Sequence, residues 1–335
     1  MFLFKKKSVG LDMDAFEARV VELTGNSKTP QLVSCGRIPL EEGTVKEGSI
    51  IDSKKAGEAL LQLWEEADID REEVILGVSN PGVLVRFANF PRVPQDKLGN
   101  LIRFQAQEFL PMPLESVVLD HMVVGEVRQE NKEMLEVLLV AARKEMVNAF
   151  VEALDSARLM PQEIDVSSLA LLRMIPPEDK EKTVAMVHMP YEMGNVLISA
   201  KGFPRLARLI PLNLINFLGK EILRGIGSCP DLKTLDWSEY NIYEWNEALV
   251  SEIRSSIDYY HSYGEAANVE KIYLSGCGSR IPGVVELLQE ALDIPVENSD
   301  PLKGIKISSQ VEEDLQWRAS DFMINISLAL RGLEE

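Results

Sequence analysis

SVGLDMDAFEARVVEL, residues Ser8–Leu23, reads as two strands joined by a short turn. Apolar runs at Ser8–Met13 and Ala18–Leu23 supply the strands, and Asp14-Ala15-Phe16-Glu17 supplies the turn. A turn that cradled phosphate would offer glycine and hydroxyl residues, because their backbone N–H groups approach an anion closely. This turn has neither, and places two carboxylates there instead. If Asp14 and Glu17 stayed ionised beside a triphosphate, each carboxylate–phosphate pair at ~4 Å would cost on the order of 4 kcal/mol at an effective dielectric of about 20. Arg19 is free to pair with Glu17, or with an acid across a cleft, and so to close a site that holds no nucleotide.

Outward from this hairpin come a strand near Gln31–Ile38, a helix over Lys54–Ala67 and a strand at Val74–Val78, giving the order β-β-β-α-β. The second half repeats it, with strands near Thr183–Met189, Asn195–Ala200 and Arg205–Ile210, helices between Leu212 and Tyr263, and a strand at Lys271–Ser275. Such a recurrence implies two similar α/β halves facing each other across a cleft. Within the first of these units, before its close, lies an extra block: a strand at Val83–Phe90, a helix from about Asp96 to Phe109, and strands near Val117–Val124 and Leu135–Ala142. Leu98, Leu101, Ile102, Gln105 and Phe109 share one face of that helix, which Pro111 and Pro113 stop. Lys144–Met160 reads as one long helix with Met146, Phe150, Val151, Leu154 and Met160 as its apolar stripe. Trp245–Tyr263 reads as another. Pro177 and the charged run Glu178–Lys182 read as a solvated connection. The expected division is a first domain over residues 1–180, with an inserted subdomain at about 83–145, and a second domain over 181–335.

The bulk numbers exclude several classes. The 335 residues are 46% hydrophobic, enough for two cored domains, and the net charge of -18 repels nucleic acid and anionic lipid. Cys35, Cys229 and Cys277, like His121, His188 and His261, fall too far apart for a disulfide framework or a zinc site. That usage fits a reducing cytoplasm. No stretch approaches the roughly 18 consecutive apolar residues of a membrane span. Met1–Phe4 followed by Lys5–Lys7 has its charges on the wrong side for a signal peptide, and reads as a basic lead-in to the first strand.

The element order resembles a known family when taken with GLDMDAFEARVVEL, FPRVPQDKLGNLIRFQAQEFLPMPLESVVLDHMVV (Phe90–Val124), IYLSGCGSRIPGVVELLQEALDIPVENSDPL (Ile272–Leu302) and ISLALRGLE (Ile326–Glu334). It is similar to the type IV pilus assembly protein PilM family, actin-like relatives of the division protein FtsA. The resemblance implies an actin-like fold, with ribonuclease H-like duplicated β-β-β-α-β domains and an inserted α/β subdomain in the first. It also implies a nucleotide site, of which Asp12, Arg19, Gly276, Gly278 and Ser279 are the vestige. In the second phosphate hairpin, VHMPYEMGNVLIS, His188 stands at the aspartate, Pro190 at the glycine and Gly194 near the hydroxyl. Pro190 has no N–H to offer a phosphate, and His188 is a poor substitute for a carboxylate beside hydrated magnesium. Cys277 replaces a glycine of the adenosine-side loop. The expectation is therefore no catalytic residue, no metal ligand and no needed cofactor, with ATP and magnesium bound only if the degenerate site still holds them.

By the same resemblance the chain is an adaptor of a pilus or related secretion machine, cytoplasmic and held at the inner membrane through a partner. That partner is the cytoplasmic N-terminal segment of a PilN-like membrane protein, laid in a groove between the first domain and the inserted subdomain. Leu101, Phe104, Gln105 and Glu108 are the candidate contacts. Other platform proteins are further partners, and self-association is open. Two alternatives stand beside this reading: a working actin-like ATPase of the same machine, and the cytoplasmic part of a type II secretion L protein. A sugar kinase would need a general-base aspartate that nothing here marks. An FtsA-like membrane tether would need a terminal amphipathic helix, whereas ISLALRGLE looks like the end of a packed one.

Overall fold

The computed structural model describes residues 6–129, 132–212, 214–218, 235, 242–262, 266–309, 311 and 318–334. The Met1–Lys5 lead-in, Cys229, and most of the stretch between Leu218 and Ile242 lie outside the described residues. The chain divides into two compact units, Met1–Asn80 with Val151–Glu335, and Pro81–Phe150.

The first unit opens with β1 (Lys6–Met13), β2 (Glu17–Gly25) and β3 (Gln31–Pro39), paired antiparallel in succession. From Ser8 onward β1 is buried on both faces, which is why its sequence runs apolar rather than alternating. Helix α1 (Ser53–Glu66) follows, its first turn capped by Asp52, whose carboxylate accepts the Lys55 N–H at 3.1 Å. It buries Ala56, Leu60, Leu63 and Trp64, and leads into β4 (Glu73–Val78), parallel to β1.

The second unit holds β5 (Val83–Pro91), α2 (Gln95–Gln105), β6 (Val117–Gln129) and β7 (Lys132–Arg143) in an antiparallel sheet of order β5-β7-β6. Leu98 and Ile102 of α2 pack with Phe90, Val137 and Leu139 of the sheet. The expected helix to Phe109 ends at Gln105 and tightens into a 3-10 turn at Ala106–Glu108.

Helix α3 (Lys144–Ser156) begins in the second unit and ends in the first, short of the expected Met160, where β8 (Met160–Val166) begins, parallel to β4. Met160 is therefore an exposed strand residue and no part of a helix stripe. The second half supplies β9 (Thr183–His188), β10 (Met193–Ala200), β11 (Phe203–Pro211), α4 (Tyr243–His261), β12 (Lys271–Ser275), α5 (Val284–Leu292) and β13 (Val296–Asn298). The sheet order is β11-β10-β9-β12-β13. The charged run before β9 is not wholly solvated. Asp179 is buried, accepts a hydrogen bond from the Tyr273 hydroxyl and pairs with Lys182 at 2.7 Å. The chain then returns to the first sheet, where β14 (Lys306–Ile307) pairs parallel with β3 to complete the order β8-β4-β1-β2-β3-β14.

The closing helix α6 (Met323–Glu334) is buried along most of its length. Met323, Ile324 and Leu328 share a core with Val184, Met186 and Tyr273 of the second sheet. Ile326 and Ala329 share another with Val21, Leu23 and Leu32 of the first. The helix can lie this close to β1 because position 10 is glycine: a Cβ there would sit 2.1 Å from the Asn325 carbonyl oxygen. The result is the duplicated α/β architecture that the element order implied, in the actin-like arrangement that the resemblance implied.

Candidate functional site

The β1–β2 turn and the β9–β10 turn meet at one end of the two sheets. Asp14 caps its own turn. Its Oδ1 accepts the N–H groups of Phe16 at 2.7 Å and Glu17 at 3.0 Å, and its Oδ2 accepts from Arg19 at 2.7 Å. The backbone donors that a phosphate would need are thus taken by a side-chain carboxylate of the same turn. Arg19, only 3% exposed, also binds Glu17 Oε1 at 2.7 Å and Asp12 Oδ2 at 3.2 Å. Burial opposes its charge, yet Asp14, Glu17 and Asp12 together hold it protonated well above the ordinary range. Burial in turn pushes the Asp12 and Glu17 carboxyls up, with Arg19 partly offsetting it.

On the other side of the cleft His188 is buried, with Nδ1 3.0 Å from Ser275 Oγ. Burial, with the Arg19 charge added, lowers it to about 3, so the ring is neutral at any physiological pH. The Gly276–Ser279 turn is packed against β9–β10. Gly276 has φ 81 and ψ 175, a conformation almost reserved for glycine, and a Cβ on it would stand 2.6 Å from the Met189 carbonyl oxygen. Its N–H donates to Ser320 O at 3.0 Å, and the Gly278 N–H donates to Met189 O at 2.9 Å. The Ser279 hydroxyl donates to Gly276 O at 2.7 Å. Glycine here serves close packing between chain segments.

Magnesium–ATP, which the resemblance left possible, does not fit these residues as they stand. The space among Asp12, Asp14, Arg19, His188 and Asn195 is about 20 Å³, room for roughly one water, whereas ligand sites run to about 300 Å³ and more. Larger hollows of about 810 and 800 Å³ lie elsewhere, one beside Ser34 and Cys35 of β3, the other beside Asp179 and Lys271. Among the described residues no group of three or more His, Cys, Asp or Glu is placed to hold a metal ion.

The family model for type IV pilus assembly protein PilM matches residues 10–203 and 238–333. The chain belongs to the PilM family. A solved PilM–PilN type IV pilus biogenesis complex is similar over 98% of this chain and 99% of that one, at 25% identity and TM-score 0.83. The ethanolamine utilization protein EutJ of Carboxydothermus hydrogenoformans is similar over 97% of this chain and 89% of that one, at 12% identity and TM-score 0.54. A diol dehydratase-reactivating factor, in nucleotide-free form, covers 98% and 100% at 9% identity and TM-score 0.54. The last two speak to the fold alone.

Within this PilM family member the candidate partner residues sit on α2 and the turn after it. Leu101 is half-buried at the edge of the core, Gln105 is half-buried, and Phe104 and Glu108 are exposed. Phe104 stands out at 84% exposed. Sequence reasoning missed Phe16 and Tyr191, whose rings meet edge-on at 5.7 Å. It also missed Asn195, which accepts from Ser79 Oγ at 2.9 Å. An apolar residue in a hairpin turn was the available signal for Phe16. Among the described residues no helix is long and apolar enough to cross a membrane.

Proposed function

We propose that this chain is a cytoplasmic adaptor of the type IV pilus inner-membrane platform, which captures the cytoplasmic N-terminal segment of a PilN-like protein and turns over no ATP. The observation that carries the partner is the end-to-end similarity to a PilM–PilN complex. The blocked turn supports the rest: Asp14 occupies the donors and Arg19 is committed to three carboxylates. On this reading Asp12, Arg19, Gly276, Gly278 and Ser279 are remains of a nucleotide site that now serve packing and charge balance.

A short extended segment binds through main-chain hydrogen bonds and a few apolar anchors. Phe104 is the exposed aromatic best suited to be one, flanked by Leu101, Gln105 and Glu108. Phe104→Glu is expected to weaken capture of the PilN-type segment at least about 30-fold, the loss of an aromatic hot spot, with circular dichroism and melting unchanged. Fluorescence anisotropy with a labelled segment measures it. Unchanged affinity would move the contact off α2.

A further inference from the structure

Among the described residues, contacts that need no ligand link elements around the first sheet of the first unit to elements around its second sheet. Phe16, from the β1–β2 turn, packs against the core of the second sheet, with its ring 5.7 Å from that of buried Tyr191 at 62°. Ser79 Oγ donates to Asn195 Oδ1 at 2.9 Å. The Glu47 N–H donates to Glu192 Oε2 at 3.0 Å, and the Gly276 N–H to Ser320 O at 3.0 Å. We infer that Phe16 is an internal clasp: a side chain of the first sheet's hairpin, seated in the second sheet's core, that holds the cleft shut without nucleotide.

The causal chain is short. Arg19 fixes Asp14 through Oδ2, Asp14 fixes the turn through two N–H groups, and the turn aims Phe16 at Tyr191. Each link excludes an alternative. Were the Asp14 carboxylate replaced by an exchanging anion, the turn would tighten only when that anion was bound, and closure would track its concentration. With the carboxylate covalently in place, the turn is set at all times. The aromatic pair then adds an apolar, edge-on contact that neither salt nor nucleotide level alters. The clasp stands on contacts within the first unit and is independent of which partner α2 captures.

Hydrogen exchange by mass spectrometry on the full chain tests it, comparing wild type, Phe16→Ala, Phe16→Leu and Asp14→Ala. Phe16→Ala is expected to speed exchange about tenfold or more in residues 188–197 and 271–279, local opening rather than global unfolding, while residues 81–150 are unchanged. Phe16→Leu keeps most of the protection. Asp14→Ala reproduces the Phe16→Ala pattern and adds little on top of it, because both break one chain of contacts. Millimolar magnesium–ATP leaves the wild-type pattern as it was. Unchanged exchange in Phe16→Ala, acceleration spread evenly over both units, or protection of 188–197 by ATP would each overturn the clasp.

Discussion

Arg19→Met is expected to destabilise the protein by about 3–5 kcal/mol, the usual cost of breaking a buried charge network by removing one partner. The guanidinium is the charge that balances Asp12, Asp14 and Glu17, at 3.2, 2.7 and 2.7 Å. Arg37, a second cation nearby, reaches Glu17 only at 3.9 Å. Without Arg19 the buried carboxyls must take up protons. The folded values of Asp12 and Glu17 already stand above the ordinary 3.8 and 4.5 because of burial, and loss of the guanidinium raises them further. The folded variant then binds more protons than the unfolded chain, so its stability falls as pH rises through those raised values. Urea unfolding should show the deficit of Arg19→Met smaller at pH 5 than at pH 7. A loss under about 1 kcal/mol, far below the range for a broken buried pair, or a deficit independent of pH, would mean that the carboxyls are not held by Arg19.

Gly10→Ala should be nearly as damaging, at about 4 kcal/mol, the exceptional end of single substitutions. The new methyl would meet backbone on two sides, 2.1 Å from Asn325 O and 2.8 Å from Ala329 N. Neither atom moves without lifting α6 off β1. That movement would also break the Asn325 Nδ2 hydrogen bond to Arg19 O, at 2.6 Å, which ties the helix to the charged hairpin. The measurement is the urea midpoint by tryptophan fluorescence. A wild-type midpoint would show that the helix is not held against β1 as described.

The fold was legible where the chain follows local rules. The first three strands, α1 and β12 were read within one or two residues of where they lie, because buried strands and amphipathic helices carry their own period. It failed where a single backbone conformation decides. Lys144–Met160 keeps helical apolar spacing, yet Arg158, with φ 59, turns the chain out of α3 and lets Met160 begin a strand. Arginine gives no warning of a left-handed turn. Asp179 sat in a charged run that looked solvated, and only the distant Tyr273 and Lys271 explain its burial. At the site, the replacement of glycine and hydroxyl residues was plain. What Asp14 does instead, accepting the turn's own N–H groups, is the habit of an aspartate in a turn, but its union with Arg19 in one buried network is set by the pairing of the two strands. The meeting of Phe16 with Tyr191 joins two halves of the chain, and no window of sequence holds both.

Whether this PilM family member retains a nucleotide site is tested most directly by isothermal titration calorimetry of the purified full chain with magnesium–ATP. With Asp14 on the turn donors, Pro190 offering no N–H, and about 20 Å³ of space among the flanking side chains, the expected result is no saturable heat at sub-millimolar ATP. Saturable binding at micromolar ATP, with phosphate released over time, would contradict it.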